Sequence, residues 1–265
     1  MELKQLIKNY YNKITGIYFS NKILASEEEY LNIADKAQKI KYPLIDNRLK
    51  DLVEVDINWL NDLALYTQVV KKKSTINYQH GRLLYSFLST FFKNSNNLII
   101  LETGTARGFS SIVISKALTD LNIENFEIHT IDVIPHNLKI YWNTIDDIRL
   151  GKRTREKLLN NYKNLLDKIK FHSGTSKKCL KNLNKLKRIN FCFLDGAHDY
   201  NSVKHEFNWI KQRQLKGDII LFDDCTANIF NGILRLVTEI SYSQDYSVEF
   251  IKSTEYRGYA LLIKN

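Results

Sequence analysis

The sequence predicts an α/β fold with a mostly parallel sheet, preceded by a helical segment and closed by an antiparallel hairpin. From residue 98 onward, short apolar runs alternate with helical patterns, which is typical of parallel strands joined by crossover helices. The first apolar run ends in a glycine-containing turn, E-T-G-T-A-R-G, that leads directly into a helix. The last two extended segments, Ser247–Lys252 and Gly258–Lys264, are separated by a short polar stretch, which predicts a hairpin.

The chain divides in the sequence at about residue 80. Residues 1–80 are expected to form a helical segment that serves as a lid, a substrate wall or a dimer contact. Residues 81–265 are expected to form a nucleotide-binding domain. The motif Ser26-E-E-E predicts a capped helix, and Pro43 marks its end. The parallel strands are expected at Leu98–Glu102, Phe126–Val133, Ile169–His172, Ile189–Asp195 and Asp218–Asp223.

Composition and charge limit the class of protein. The chain has 265 residues, of which 44% are apolar, so it can form a sizeable core. It lacks an apolar run of the roughly 20 residues that span a bilayer, and its first residues are too charged for a secretory signal. Three cysteines without metal-like spacing indicate reduced thiols, so we expect a cytoplasmic protein. The net charge of +10 is spread over the sequence, which favours solvated surfaces over a nucleic-acid site.

The turn after the first strand is the candidate cofactor cradle. Gly104 and Gly108 permit a tight turn, and the following helix directs its free N–H groups towards a bound molecule. The turn is not a dinucleotide fingerprint, because Ala106 stands at the position of the second glycine. Glu102 at the strand end would repel a pyrophosphate and attract a cofactor that carries positive charge.

The later strands are expected to deliver polar groups to the same edge of the sheet. Asp132 can accept hydrogen bonds from a ribose diol, and the small polar residues 173–176 suit an adenine edge, although a helix-capping turn explains them as well. Asp195, Asp223 and Asp224 follow two further strands. Converging carboxylates repel one another, and a hard divalent cation relieves that repulsion, whereas capping of the next helices is the alternative.

Three motifs together carry a resemblance to a known family. E-T-G-T-A-R-G-F-S, F-L-D-G-A-H-D-Y-N-S-V-K-H-E-F and G-D-I-I-L-F-D-D-C resemble class I S-adenosylmethionine-dependent methyltransferases, specifically the metal-dependent O-methyltransferases of the macrocin O-methyltransferase type. The resemblance implies a Rossmann-like fold with seven strands, and S-adenosylmethionine as methyl donor. It also implies Mg²⁺, or another hard divalent cation, at Asp195, Asp223 and Asp224.

The same resemblance assigns roles to further residues. His198, which titrates near neutrality, stands where related enzymes place the base that takes the hydroxyl proton, and Asp199 is the competing base. The residues expected to bind the cofactor are Glu102, Gly104, Thr105, Ala106, Gly108, Ser110, Asp132, Gly174, Thr175 and Ser176.

The predicted function is methyl transfer to a hydroxyl of a small molecule, with a sugar or glycosylated metabolite among the acceptors that the resemblance implies. Acceptor contacts are expected from the N-terminal helices, which are also a candidate homo-oligomer contact, and from Ile134–Lys168 through Tyr141 and Trp142. The alternatives are a nucleic-acid methyltransferase, a non-catalytic S-adenosylmethionine-binding assembly protein and a hydroxylase-like relative. The N/D-P-P-Y/F motif usual in base methylation does not follow the fourth strand.

Overall fold

A computed structural model describes residues 22–227 and 231–265, so the helical pattern expected before residue 22 lies outside the described residues. The strands are β1 (Leu98–Thr103), β2 (Phe126–Asp132), β3 (Ile169–Ser173), β4 (Phe191–Leu194), β5 (Ile219–Phe222), β6 (Tyr246–Lys252) and β7 (Gly258–Lys264). The helices are α1 (Glu27–Lys39), α2 (Pro43–Leu49), α3 (Ile57–Thr67), α4 (His80–Phe91), α5 (Phe109–Asp120), α6 (Asp146–Leu150), α7 (Arg155–Leu158), α8 (Ser176–Asn182), α9 (Tyr200–Lys211) and α10 (Asn231–Ser241). A 3₁₀ helix spans Asn160–Leu165. Within the described residues, no helix is both long enough and apolar enough to cross a membrane.

The first described helix begins at the predicted cap. Ser26 accepts a hydrogen bond from the backbone N–H of Glu29 (3.2 Å), and Glu29 accepts one from the backbone N–H of Ser26 (2.9 Å). This reciprocal pair satisfies two donors that a helix N-terminus leaves open, an effect of about 1 kcal/mol. Pro43 occupies the first turn of α2, where its missing N–H costs nothing.

The sheet confirms the predicted fold class. Its strand order is β3-β2-β1-β4-β5-β7-β6. The pairs among β1 to β5 are parallel, whereas β7 is antiparallel to both β5 and β6. The strand order reverses between β1 and β4, because the chain leaves β1 on one side and returns to it on the other. Crevices of this kind, at the carboxyl ends of the strands, are where such sheets bind ligands.

Helices cover both faces of the sheet, which is why its strands are apolar on both sides. Successive residues of a strand point to opposite faces, and in β1 Ile100 and Leu101 are both fully buried in different clusters. Ile100 belongs to the cluster that includes residues of α4 and α5. Leu101 belongs to the cluster that includes residues of α8, α9 and α10. The described part of the N-terminal segment shares the first cluster, because Ile45 and Leu60 are buried in it together with the strand residues.

The long connection between β2 and β3 supports the turn after β1. The backbone carbonyl of Trp142 accepts a hydrogen bond from Arg107 Nε (2.5 Å), and Arg155 Nε donates to the carbonyl of Ala106 (2.9 Å). Trp142 itself is fully buried, with its indole N–H donating to the carbonyl of Arg153 (2.8 Å). The expectation that Trp142 contacts the acceptor is therefore wrong, because the ring is enclosed by its own connection.

Candidate functional site

A cavity of about 830 Å³ lies at the carboxyl ends of the central strands. Its wall combines residues from the strand ends with residues from the N-terminal segment and one residue from the β6–β7 turn. No residue of the Ile134–Lys168 connection is part of this wall within the described chain. The sequence-predicted residues that line it are Gly104, Ala106, Asp132, Gly174, Thr175, Ser176, Asp195, His198, Asp199, Asp223 and Asp224.

The turn after β1 has the tight geometry that the glycines predict. Gly104 has φ +94°, and a Cβ added there would lie 2.0 Å from the backbone oxygen of Asp195. Gly104 therefore allows the ends of β1 and β4 to approach each other at the floor of the cavity. Ala106 keeps a left-handed conformation, with φ +45°, although it carries a side chain. Gly108, with φ +90°, stands immediately before α5.

Asp132 is fixed at the cavity wall by the two loops beside it. Its carboxylate accepts hydrogen bonds from the backbone N–H groups of Ala106 (2.5 Å) and Ile134 (2.7 Å). Arg155 Nη2 lies 3.7 Å from its Oδ2. Burial raises the pKa of Asp132, and the positive charge of Arg155 acts in the opposite direction. This carboxylate is therefore held in one orientation at the cavity wall.

Four of the predicted cofactor residues do not line the cavity: Glu102, Thr105, Gly108 and Ser110. Glu102 is fully buried beneath the turn, where its carboxylate accepts hydrogen bonds from Ser111 and from Thr130 (2.5 Å). Burial raises its pKa. The structure thus gives Glu102 contacts that hold the turn from below, and it does not bring the carboxylate to the wall.

Three acidic or imidazole side chains converge at the ends of β4 and β5. Asp195, His198 and Asp224 each offer a ligand atom, and these atoms lie within 4.8 Å of one another. His198 Nε2 is 3.1 Å from Asp224 Oδ2. Asp224 has φ +53°, a strained conformation for a residue with a side chain, and such strain is concentrated at functional sites. We call these three residues the acid–imidazole cluster.

Asp223 lines the cavity but lies outside the acid–imidazole cluster. Its Oδ1 accepts the backbone N–H of Asp224 (2.6 Å), and its Oδ2 is 3.9 Å from His80 Nδ1. The three carboxylates that the sequence grouped as metal ligands are therefore not equivalent: two of them meet His198, and the third faces a buried histidine.

Burial and mutual repulsion separate the pKa values of the carboxylates. Burial, reinforced by the charges of the neighbouring aspartates, raises the pKa of Asp195 well above its usual range and that of Asp223 to about 7. Burial also acts to raise the pKa of Asp224, but the hydrogen bond to His198 and the charge of Arg257 outweigh it and lower that pKa. Asp224 is consequently the group with the strongest preference for the charged form.

The structure adds two cations that the sequence motifs did not reveal. Arg257, from the β6–β7 turn, places Nη1 3.7 Å from Asp224 Oδ1. Lys72, from the loop after α3, is also part of the cavity wall. Neither stands near the carboxylate motifs in the sequence, so local motif analysis did not find them. The charge on Arg257 offsets part of the carboxylate repulsion that the sequence analysis assigned to a metal ion alone.

The two candidate bases have different surroundings. Asp199 is the N-cap of α9, where its carboxylate accepts the backbone N–H of Ser202 (3.0 Å). Burial acts to raise the pKa of Asp199, but its hydrogen bonds outweigh this effect and lower it, which makes the carboxylate a weaker proton acceptor. His198 points to Asp224 instead, so the imidazole is the better placed of the two.

Comparison with known proteins identifies the domain. Residues 101–225 match the family described as a methyltransferase domain. The chain has a methyltransferase domain. The match confirms the predicted enzyme class, a methyltransferase, and it spans β1 to the end of β5, the part of the chain that carries the glycine turn and both carboxylate motifs. No curated protein matches the sequence significantly.

Solved structures show the same fold at low sequence identity. The O-methyltransferase from Bacillus cereus in complex with SAH is 15% identical, with a TM-score of 0.53, over 98% of this chain and 97% of that one. TomG from Streptomyces achromogenes, an O-methyltransferase involved in tomaymycin synthesis and solved with SAM, is 15% identical, with a TM-score of 0.54, over 100% and 99%. The O-methyltransferase NovP is 16% identical, with a TM-score of 0.55, over 91% and 100%.

Proposed function

We propose that this methyltransferase transfers the methyl group of S-adenosylmethionine to a hydroxyl of a small molecule, in the manner of the macrocin O-methyltransferase type. One observation carries the proposal: a single cavity contains both the glycine turn with Asp132 and the acid–imidazole cluster. Asp132 ends β2, and Asp195 follows β4, two strands away. Strands are spaced about 4.8 Å apart, so the two groups can serve different parts of a bound donor and acceptor.

The donor half of the cavity suits a nucleoside. Asp132 offers carboxylate oxygens to a ribose diol, and Gly174 and Ser176 line the neighbouring wall after β3. Thr175 also caps α8, because its hydroxyl accepts the backbone N–H of Lys178 (3.4 Å). Residues 174–176 therefore both line the cavity and contain the helix cap that the sequence offers as the alternative explanation. The SAM-bound and SAH-bound neighbours have the same fold, which supports this donor.

The acid–imidazole cluster fits a hard divalent cation. Its two carboxylates, Asp195 and Asp224, are the kind of ligand that Mg²⁺ and Mn²⁺ prefer, and His198 stands beside them. Asp224 Oδ1 is buried and accepts no hydrogen bond from the described residues, with Arg257 Nη1 3.7 Å away, so it retains a lone pair for a metal ion. We infer that Asp195 and Asp224 hold the cation, with Asp223 behind them. When bound, the cation polarises the acceptor hydroxyl and lowers its pKa.

The chain's own residues then accept the proton and hold the acceptor. His198 Nε2–H donates a hydrogen bond to Asp224 Oδ2, which is 3.1 Å away, and the other ring nitrogen, Nδ1, receives the hydroxyl proton. The negative charge of Asp224 stabilises the imidazolium that forms. The N-terminal segment acts as the acceptor wall, because Gln68, Asn77 and His80 line the cavity. Most of the acceleration comes from alignment of donor and acceptor in this enclosed space.

Two titrations test the proposal separately. We expect calorimetry to show that the wild type binds S-adenosylhomocysteine and that Asp132→Asn weakens this binding at least tenfold. Asp195→Asn should keep the wild-type affinity for S-adenosylhomocysteine. The same variant should lose Mn²⁺ binding, measured by electron paramagnetic resonance. If the wild type does not bind S-adenosylhomocysteine, the proposed donor is wrong.

The metal and the acceptor have their own tests. Mn²⁺ binding that is absent in the wild type, or unchanged in Asp195→Asn, refutes the metal site while the donor assignment stands. Methyl transfer from labelled S-adenosylmethionine to a panel of sugars, nucleotide sugars and phenols then identifies the acceptor class. Transfer to RNA in the same assay, with none to the small molecules, contradicts the small-molecule assignment.

A further inference from the structure

Lys72 lies in the cavity wall in a position that the rest of the structure fixes. The backbone N–H of the preceding residue, Lys71, donates to the side-chain oxygen of Asn143 (3.1 Å), and the Asn143 amide donates back to the Lys71 carbonyl (3.0 Å). Asn143 is 1% exposed, and it also accepts a hydrogen bond from the hydroxyl of Tyr30 (3.0 Å). The loop after α3 is therefore held at this point, and Lys72 is directed into the cavity by a rigid backbone.

The ammonium of Lys72 forms no direct ion pair in the described part of the chain. Lys71 pairs with Glu29, whereas no described carboxylate oxygen lies within 4.0 Å of Lys72. A half-buried ammonium without a partner is costly, because water is partly removed and nothing replaces it. Burial, followed by the positive charges of Arg257 and Arg107, lowers the pKa of Lys72 to about 8. The negative charges of Asp224 and Asp195 act in the opposite direction, but neither carboxylate is close enough to form an ion pair with Lys72.

Arg257 is a second cation at the same end of the cavity. It belongs to the β6–β7 turn, in which the backbone N–H groups of Ser253 and Thr254 donate to its carbonyl (2.9 and 3.0 Å). Asn77 in the cavity wall donates to the hydroxyl of Ser253 (3.3 Å), which links this turn to the loop that carries Lys72. Arg257 reaches Asp224 only at 3.7 Å, with 29% of its side chain exposed, so the guanidinium keeps donors for a further anion.

We propose that Lys72 and Arg257 form an anion site that binds a carboxylate or phosphate group of the methyl acceptor. The inference rests on the proposed function, which assigns this end of the cavity to the acceptor. Lys72 and Arg257 both line the cavity, and Arg257 lies 3.7 Å from Asp224, so the pair accompanies the acid–imidazole cluster at the ends of β4 and β5. An acceptor with a negative group would be oriented at one end by these cations while its hydroxyl meets His198.

The carboxylate of the methyl donor is another anion that Lys72 and Arg257 could bind. The experiment therefore distinguishes the donor carboxylate from an anionic group of the acceptor. Inorganic phosphate is titrated into protein saturated with S-adenosylhomocysteine, in metal-free buffer, with calorimetry as the readout. In this complex the carboxylate of S-adenosylhomocysteine already occupies its own site, so phosphate reports on any remaining anion site. We expect the wild type to bind phosphate and Lys72→Met to bind it at least tenfold more weakly. Lys73→Met, which removes an exposed charge one residue away, should match the wild type.

Each outcome decides the proposal. Phosphate binding that is absent in the wild type, or equal in Lys72→Met and Lys73→Met, overturns it. A loss of S-adenosylhomocysteine affinity in Lys72→Met, with affinity for methylthioadenosine unchanged, assigns Lys72 to the donor carboxylate and also overturns it. A cooperative thermal unfolding transition of Lys72→Met shows that the variant is folded, so that a loss of phosphate binding reports on the site. The proposed function is tested independently by S-adenosylhomocysteine binding to the wild type in the same instrument.

Discussion

Replacement of Gly104 by alanine tests the geometry on which the site depends. Gly104 has φ +94°, where an alanine costs about 1–2 kcal/mol. The added Cβ would also lie 2.0 Å from the backbone oxygen of Asp195, below the 3.0 Å limit that real Cβ atoms respect. A backbone atom cannot rotate away, so β4 would have to move by about 1 Å, and such overpacking costs about 1–3 kcal/mol.

The two costs together predict a loss of about 2–5 kcal/mol of unfolding free energy in Gly104→Ala. Gly217 is the matched control, because it has φ +86° but nothing within 4 Å of an added Cβ. Gly217→Ala should therefore lose only the conformational part, about 1–2 kcal/mol. Urea denaturation followed by circular dichroism measures both variants on the same scale.

The displacement also predicts a functional signature. Asp195 follows β4 directly, so a shift of its backbone should weaken Mn²⁺ binding at least tenfold in Gly104→Ala and leave it unchanged in Gly217→Ala. Equal losses of unfolding free energy in the two variants, together with wild-type Mn²⁺ affinity in Gly104→Ala, would refute the reasoning. That result would mean that the ends of β1 and β4 can separate without disturbing the cluster.

Three further substitutions probe the surroundings of the site. Ala106→Gly relieves a left-handed alanine at φ +45°, so thermal unfolding should show a gain of about 0.5–1 kcal/mol after the entropy of glycine is subtracted. Burial raises the pKa of Glu206 from 4.5 to about 7. Between pH 4.5 and 7 the wild type should therefore lose up to about 3 kcal/mol more unfolding free energy than Glu206→Gln, as urea titrations of both proteins at several pH values will show. Asn143→Ala leaves buried partners unsatisfied, so it should cost about 2–4 kcal/mol in urea and weaken phosphate binding, whereas Lys73→Met should change neither.

The fold could be predicted from the sequence because its signals are local. A strand such as β7 was located at Gly258–Lys264 from its own apolar residues, and the structure has the same bounds. The strand before the first carboxylate motif, predicted at Ile189–Asp195, was two residues too long at its start. The structure begins β4 at Phe191, because the backbone N–H of Ile189 bonds to Arg213 in a loop rather than to a neighbouring strand. Such boundaries depend on tertiary pairing, which one sequence does not contain.

The same distinction between local sequence signals and tertiary packing applies to the polar residues of the site. The acids Asp132, Asp195 and Asp224 each follow a strand, and parallel strands end at one edge, so topology alone brings them together. Glu102 also ends a strand, yet the turn folds over it and Ser111 and Thr130 enclose its carboxylate. Position along a strand therefore predicts the edge that a side chain occupies, but not whether the side chain faces the cavity.

The positions of the two cations, Lys72 and Arg257, do not follow from the strand ends. This difference explains how positive charge comes to offset the carboxylates of the site. Lys72 comes from a loop fixed by Asn143, and Arg257 from a hairpin turn tied to Asn77. Neither cation is set by the order of the strands; each is carried by a segment outside the matched domain, which ends at residue 225. Substrate-binding and catalytic groups of this kind are held on loops that a rigid scaffold positions. In the proposed function, the sheet thus supplies the negative charge for the donor and the cation, and the added segments supply the positive charge that we infer selects the acceptor. A relative with the same sheet and neutral residues at these two positions would accordingly favour an uncharged acceptor.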